Sequence, residues 1–142
     1  MKKKQSSMMI VDSDSSAREK LAAFLASEYS CTTAASAEEA IGLLTFSPFD
    51  LVITDRELPG VSGLALCQFV QRTRPDTAVI LMSERVTSWY RSVAERLGVF
   101  ECIGRPCNLL SLPDLIESAL HSKIHKSGSE TGESVDSVYQ TA

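Results

Sequence analysis

Apolar residues recur along this chain in two different rhythms, which alternate from one end of the foldable region to the other. Met8–Val11, Leu51–Ile53 and Ala78–Met82 are unbroken apolar runs, as expected of strands buried on both faces. Ser30–Ala35 and Val99–Ile103 read as two further short strands. Between these runs the period becomes helical. Ala17, Leu21, Phe24 and Leu25 follow Asp14, which with its serine neighbours can cap a helix. Ser36 and Glu39 form a capping box ahead of Ala40, Ile41, Leu44 and Phe46, and that helix stops before Pro48. Leu64, Cys67, Phe69 and Val70 predict a third helix ending near Arg74-Pro75. Val86, Trp89, Tyr90, Val93, Ala94 and Leu97 predict a fourth, with Gly98 as its stop. Leu112, Leu115, Ile116, Ala119 and Leu120 predict the last, with Ser111 as cap and Pro113 in its first turn.

Strands alternating with helices predict an α/β domain whose parallel sheet is covered on both faces. With 142 residues, 44% of them hydrophobic, the chain can bury one good core, so a single globular domain over residues 1–125 is expected. Residues 126–142 are rich in Ser, Thr, Gly and Glu and are expected to form a disordered polar tail.

Charge and cysteine usage narrow the function classes. Fourteen basic and eighteen acidic side chains give a formal charge of −4 without a basic stripe, which argues against nucleic-acid binding by this chain alone. Met1–Lys4 is positively charged, but Met8–Val11 is too short for the apolar core of a signal peptide, so neither export nor membrane insertion is expected. Cys31, Cys67, Cys102 and Cys107 lack C-x-x-C spacing and read as reduced thiols of a cytoplasmic protein. His121 and His125 are four residues apart, with no third ligand suggested nearby, and read as solvated.

The chemistry gathers where strands end. Asp12, Asp55, Ser83 and Arg105 each follow or close a predicted strand, and in a parallel sheet all four lie at one edge, where open α/β sheets bind ligands. Two carboxylates about 4 Å apart repel by roughly 4 kcal/mol at an effective dielectric of 20, so such a pair calls for a cation. Mg²⁺ suits hard oxygens, and a hydroxyl with a guanidinium suits the oxygens of a phosphoryl group. An internal salt bridge from Arg105 to Asp55, Glu57 or Glu84 is the plainer reading of the same charges.

Asp12, the string D-R-E-L-P-G-V-S-G from Asp55, Ser83, and Arg105-Pro106, in that order, resemble the receiver domain of bacterial response regulators, from about Met8 to Leu120. The resemblance implies a doubly wound five-stranded parallel sheet of order 2-1-3-4-5. It implies that Asp55 is the phosphoacceptor, served by a histidine kinase or phosphotransfer protein. It also implies that Asp12, Asp55 and the main-chain carbonyl of Glu57 hold Mg²⁺, and that Ser83 and Arg105 meet the phosphoryl group. In the resembled family two acidic residues close the first strand, a lysine takes the place of Arg105, a small residue that of Glu84, and an aromatic switch residue that of Cys102. Ser13 after Asp12 therefore predicts weaker metal binding, Glu84 an obstructed phosphoacceptor, and Cys102 weak coupling between phosphorylation and output.

Trp89 and Tyr90, about 100° apart around a helix axis, cannot both face the core. At least one is expected on a partner surface formed by the fourth helix, the last strand and the last helix, taking a downstream effector protein or a second copy of the chain. Because no effector domain follows within these residues, the output is expected to be a separate partner or part of a larger protein. Two alternatives remain open at this point. One is a pseudo-receiver that binds proteins without phosphorylation. The other is a haloacid-dehalogenase-like phosphatase, because M-I-V-D-S-D-S also resembles a D-x-D opening with Asp12 as nucleophile and Asp14 as acid.

Overall fold

The computed structural model of the protein describes residues 5–128, with side chains through Lys123. Strands β1 (Ser7–Val11), β2 (Ser30–Ala34), β3 (Leu51–Asp55), β4 (Ala78–Ser83) and β5 (Glu101–Gly104) alternate with helices α1 (Ser15–Leu25), α2 (Ala37–Phe46), α3 (Gly63–Thr73), α4 (Ser88–Arg96) and α5 (Leu112–Gly128). All strand pairs are parallel and the sheet order is β2-β1-β3-β4-β5, as the resemblance implies.

Successive residues of the central strands face opposite ways, so their apolar runs feed two cores. Met9, Val11, Val52, Val79 and Leu81 pack with buried residues of α2, α3 and α4. Met8, Ile10, Leu51, Ile53, Ile80 and Met82 pack with Leu21 and Leu25 of α1 and Leu112, Ile116 and Ala119 of α5. The continuous runs are thus the signature of a sheet sandwiched between helix layers.

Local chemistry sets the helix bounds. Asp14 Oδ1 accepts from the N–H groups of Ser16 and Ala17, which commits this carboxylate to capping α1. Ser36 Oγ accepts from Glu39 N–H, while Glu39 Oε1 accepts from Ala35 N–H, a capping box that reaches one residue further back than usual. The Arg74 guanidinium donates to the Leu44 carbonyl at 3.0 and 2.7 Å, placing a cation at the carbonyl end of α2.

Several sequence expectations need correction. The fourth helix starts at Ser88, not Val86, because Thr87 Oγ1 caps it by accepting from Tyr90 N–H. The fifth strand runs Glu101–Gly104, because Val99 N–H still closes the end of α4 on the Ala94 carbonyl. Ser111 Oγ donates back to the Asn108 carbonyl. Phe46, expected on the apolar stripe of α2, is 86% exposed at the helix end. α5 remains helical through Gly128, and residues 129–142 of the expected tail lie outside the described residues, as does the side chain of His125.

Candidate functional site

Four strand ends build the crevice. Asp12 follows β1 directly, its N–H held by the Ala34 carbonyl of β2. Asp55 closes β3 and pairs in register with Met82, while Ser83 closes β4 opposite Gly104 of β5. Arg105 comes next, its N–H donating to the Ser83 carbonyl at 3.0 Å. Parallel register thus brings residues 93 positions apart in sequence into contact.

Asp12 and Asp55 are only 3% and 7% exposed, so water cannot neutralise them. A protein cation does so instead. One guanidinium nitrogen of Arg105 lies 2.9 Å from Asp12 Oδ2 and 2.9 Å from Asp55 Oδ2. Asp12 Oδ1 also accepts from Asp14 N–H, and Asp55 Oδ1 accepts from Glu57 N–H at 3.3 Å. Burial pushes the Asp55 carboxyl above its ordinary range, with Asp12 adding to the rise and Arg105 opposing it. Burial works against the Arg105 charge, but the two aspartates outweigh it and hold the guanidinium above its usual value.

The loop after Asp55 is tightly drawn. A Cβ on Gly63 would lie 2.1 Å from the Asp55 carbonyl oxygen, so α3 can begin this close to β3 only with glycine. Gly60 adopts φ +79, a left-handed conformation that suits glycine in the same loop. At the start of this loop Arg56 is held by its backbone, donating to the Met82 carbonyl and accepting from Gly63 N–H.

The other expected site residues are placed less uniformly. Ser83 is fully buried, and its hydroxyl donates to the Arg85 carbonyl at 3.0 Å, a local turn contact. Ser13 and Glu84 are exposed beside the crevice. Arg105 forms its ion pairs with Asp12 and Asp55 rather than with Glu84. Trp89 is 73% exposed, whereas Tyr90 is 2% exposed and is removed from the expected partner surface. The 100° between them is resolved entirely in favour of Tyr90 as the core residue. Cys102 is buried beside it, in the same apolar cluster as Cys67. All four cysteines are free; Cys67 and Cys102 are buried, whereas Cys31 and Cys107 are only half-buried.

Two contacts had no clear signal in the sequence. From the first turn of α1, Arg18 reaches back to the end of β1 and donates to the Asp12 carbonyl at 2.6 Å. The Arg56 guanidinium lies over the Tyr90 ring, 4.1 Å from its centroid, although 34 positions separate the two. Such a cation–π contact contributes about 0.5–2 kcal/mol, while a buried hydroxyl without a partner costs about 1–3 kcal/mol. The Tyr90 hydroxyl is such a group, buried and without a partner among the described residues.

Residues 8–117 match the response regulator receiver domain family. The chain belongs to that family. Among curated receiver-containing relatives, it is 34% identical over 113 residues to response regulator protein PilR of Pseudomonas aeruginosa, covering 79% of this chain and 25% of that protein. It is 31% identical over 112 residues to the DNA-binding transcriptional regulator NtrC of Klebsiella pneumoniae, covering 78% and 24%. The chain therefore spans about a quarter of the length of these regulators. Among solved structures, a CheY-like receiver domain from Methanospirillum hungatei superposes with TM-score 0.81 at 22% identity, covering 87% of this chain and 99% of that one. The beryllofluoride-activated NtrC4 receiver domain dimer gives TM-score 0.77 at 23% identity, covering 82% and 98%. Receivers are signalling modules rather than ordinary enzymes, and are generally Mg²⁺-dependent.

The oxygens of this receiver suit Mg²⁺. Among the described residues no three His, Cys, Asp or Glu side chains converge on a metal position. Mg²⁺, however, is often held by one or two carboxylates with water completing its shell. Asp12 and Asp55 already share one cationic nitrogen, which demonstrates that both can address a single positive charge.

Proposed function

We propose that this receiver accepts a phosphoryl group on Asp55 from a histidine kinase or phosphotransfer protein and relays the change through protein contacts. The observation that carries the proposal is the burial of Asp55 at the end of a central strand, with Asp12 and Arg105 converging on its carboxylate. An Asp55 carboxylate oxygen forms the new P–O bond as the P–N bond to the donor imidazole breaks, and the imidazole leaves with the bonding electron pair and takes up a proton. Asp12, Asp55 and the Glu57 carbonyl are the residues that would hold Mg²⁺, which supplies positive charge to the phosphoryl oxygens when bound. Arg105 can exchange a carboxylate partner for a phosphoryl oxygen, since its planar fork suits either anion. Ser83 can join it once its hydroxyl turns from the Arg85 carbonyl.

The downstream partner is a separate effector protein, an effector segment of a larger protein, or a second copy of the chain. The NtrC4 receiver of similar fold is a dimer, which supports the last option. A cytoplasmic location follows from the proposed donor. Among the described residues no helix is long and apolar enough to cross a membrane.

A second reading, a receiver that binds partners without phosphorylation, is favoured by one observation: Arg105 already neutralises both carboxylates. Intact-mass measurement after incubation with acetyl phosphate and Mg²⁺ separates the two. One added phosphoryl mass on wild type and none on Asp55→Asn is the expected result, whereas no added mass on either selects the second reading.

A further inference from the structure

The helix that carries Trp89 is tied to β5 at the surface by Arg91, which pairs with Glu101 at 2.7 Å and donates to the Cys102 carbonyl, but it is lightly anchored in the core. α4 spans nine residues and buries only two of them, Tyr90 and Ala94, so the Tyr90 ring is its one large contact with the core. That contact is internally conflicted. The ring fills apolar space beside Cys67 and Cys102, yet it carries its hydroxyl into the same space, where no group of the described residues meets it. The other stabilising partner of the ring is the guanidinium of Arg56, the residue that follows Asp55 in the chain. The Arg56 backbone is fixed to β4 through the Met82 carbonyl and to the start of α3 through Gly63 N–H. Its side chain is partly exposed and has one other ionic partner, Glu57 at 3.6 Å.

We propose that Arg56 is a positioning residue that clamps α4 through Tyr90 and releases it when anionic charge grows on Asp55. This rests on the reading of Asp55 as phosphoacceptor and adds the route by which its state reaches the surface around Trp89. Because the acyl phosphate consumes the carboxylate's own charge, phosphorylation takes Asp55 from about −1 to about −2, roughly one added negative charge one residue away from a partly exposed guanidinium. Drawn toward that charge, Arg56 leaves the ring face, and the unmet hydroxyl then favours a position of Tyr90 nearer water. Without added charge at Asp55, the cation–π contact holds the ring in place. The conflict at Tyr90 makes the anchor shallow enough for a single charge change to shift it.

Amide hydrogen exchange on wild type, Arg56→Gln and Tyr90→Phe tests this, each alone and with Mg²⁺ and the acyl-phosphate mimic beryllofluoride, whose occupancy is read by fluorine NMR. Without ligand, amides 91–96 should exchange about ten-fold faster in Arg56→Gln than in wild type, and more slowly in Tyr90→Phe, which keeps the ring and removes the hydroxyl. Amides of α1 serve as the unmoved control. Equal protection of α4 in all three proteins overturns the clamp. With beryllofluoride bound, exchange in wild-type α4 should rise toward the Arg56→Gln level, while the variant itself changes little. A bound fluorine signal with unchanged α4 exchange in wild type overturns the release. Absence of any bound signal in wild type counts against Asp55 as phosphoacceptor instead, and the ligand-free arm then decides the clamp by itself.

Discussion

On one side of Arg56 lies the crevice of Asp12, Asp55 and Arg105; on the other lies the seat of α4 around Tyr90 and Cys102. In the crevice every buried charge has a partner: two carboxylates share one guanidinium nitrogen at 2.9 Å, and each has a second main-chain donor. Around Tyr90 a hydroxyl is buried with none, and apolar packing with one cation–π contact must offset it. The crevice is electrostatically closed, and opening it means separating charges in a water-poor place. The α4 seat is closed by dispersion, by the partly exposed Arg56 and, at its solvent edge, by Arg91 pairing with Glu101 and the Cys102 carbonyl, so it yields more readily. A receiver built this way resists change around Asp55 and permits it around Trp89.

The largest expected effect breaks the crevice side through the backbone. Gly63→Ala drives a methyl into the Asp55 carbonyl, and α3 must shift away from β3. Denaturant unfolding should show a loss of about 3 kcal/mol, the upper end of what overpacking costs. A comparable loss, again about 3 kcal/mol, is expected for Arg105→Met, because two buried carboxylates are left facing each other. Here the comparison is sharpened by metal: unfolding in EDTA should show the full loss and unfolding in Mg²⁺ only part of it. Equal stability in both would mean that Asp12 and Asp55 do not share a metal ion.

Ser13→Asp adds a second carboxylate at the crevice rim and should tighten Mg²⁺ binding by about five-fold, as for a partly screened unit charge. Calorimetry or Trp89 fluorescence reads the change, and no tightening would remove the end of β1 from the metal site. Asp55→Asn should raise the melting temperature in EDTA at neutral pH. Its carboxyl is held above the ordinary range by burial, so its contribution to stability is present below the unfolded value and lost as pH rises through the folded one. The amide removes that loss, and the gain over wild type should vanish in acid. The smallest effect concerns Glu84, exposed beside the site. Glu84→Ala should speed acetyl phosphate labelling of Asp55 by about two-fold, as befits one solvent-screened charge.

Much of this receiver could be read from local sequence. The runs Met8–Val11, Leu51–Ile53 and Ala78–Met82 are buried on both faces, and a sheet covered by helices is the only place where such strands are stable. Asp14, Ser36 and Gly98 marked helix ends because capping and left-handed turns depend on residues within one turn of each other. That Asp12, Asp55, Ser83 and Arg105 lie along one edge of the sheet followed from parallel order, since all four lie at strand ends of the same sense.

What the sequence left open was decided by contacts across the fold. Arg105 could have paired with Glu84, and it pairs with Asp12 and Asp55 because those carboxylates are buried and Glu84 is bathed in water. Helical spacing established that Trp89 and Tyr90 diverge but not which turns inward. Tyr90 does, because the space beside the small side chains of Cys67 and Cys102 lies on its side of α4 and the Arg56 guanidinium covers its ring there. Periodicity records which positions want to leave water; which cation and which aromatic share a place depends on surfaces that exist only after the sheet has brought distant residues together.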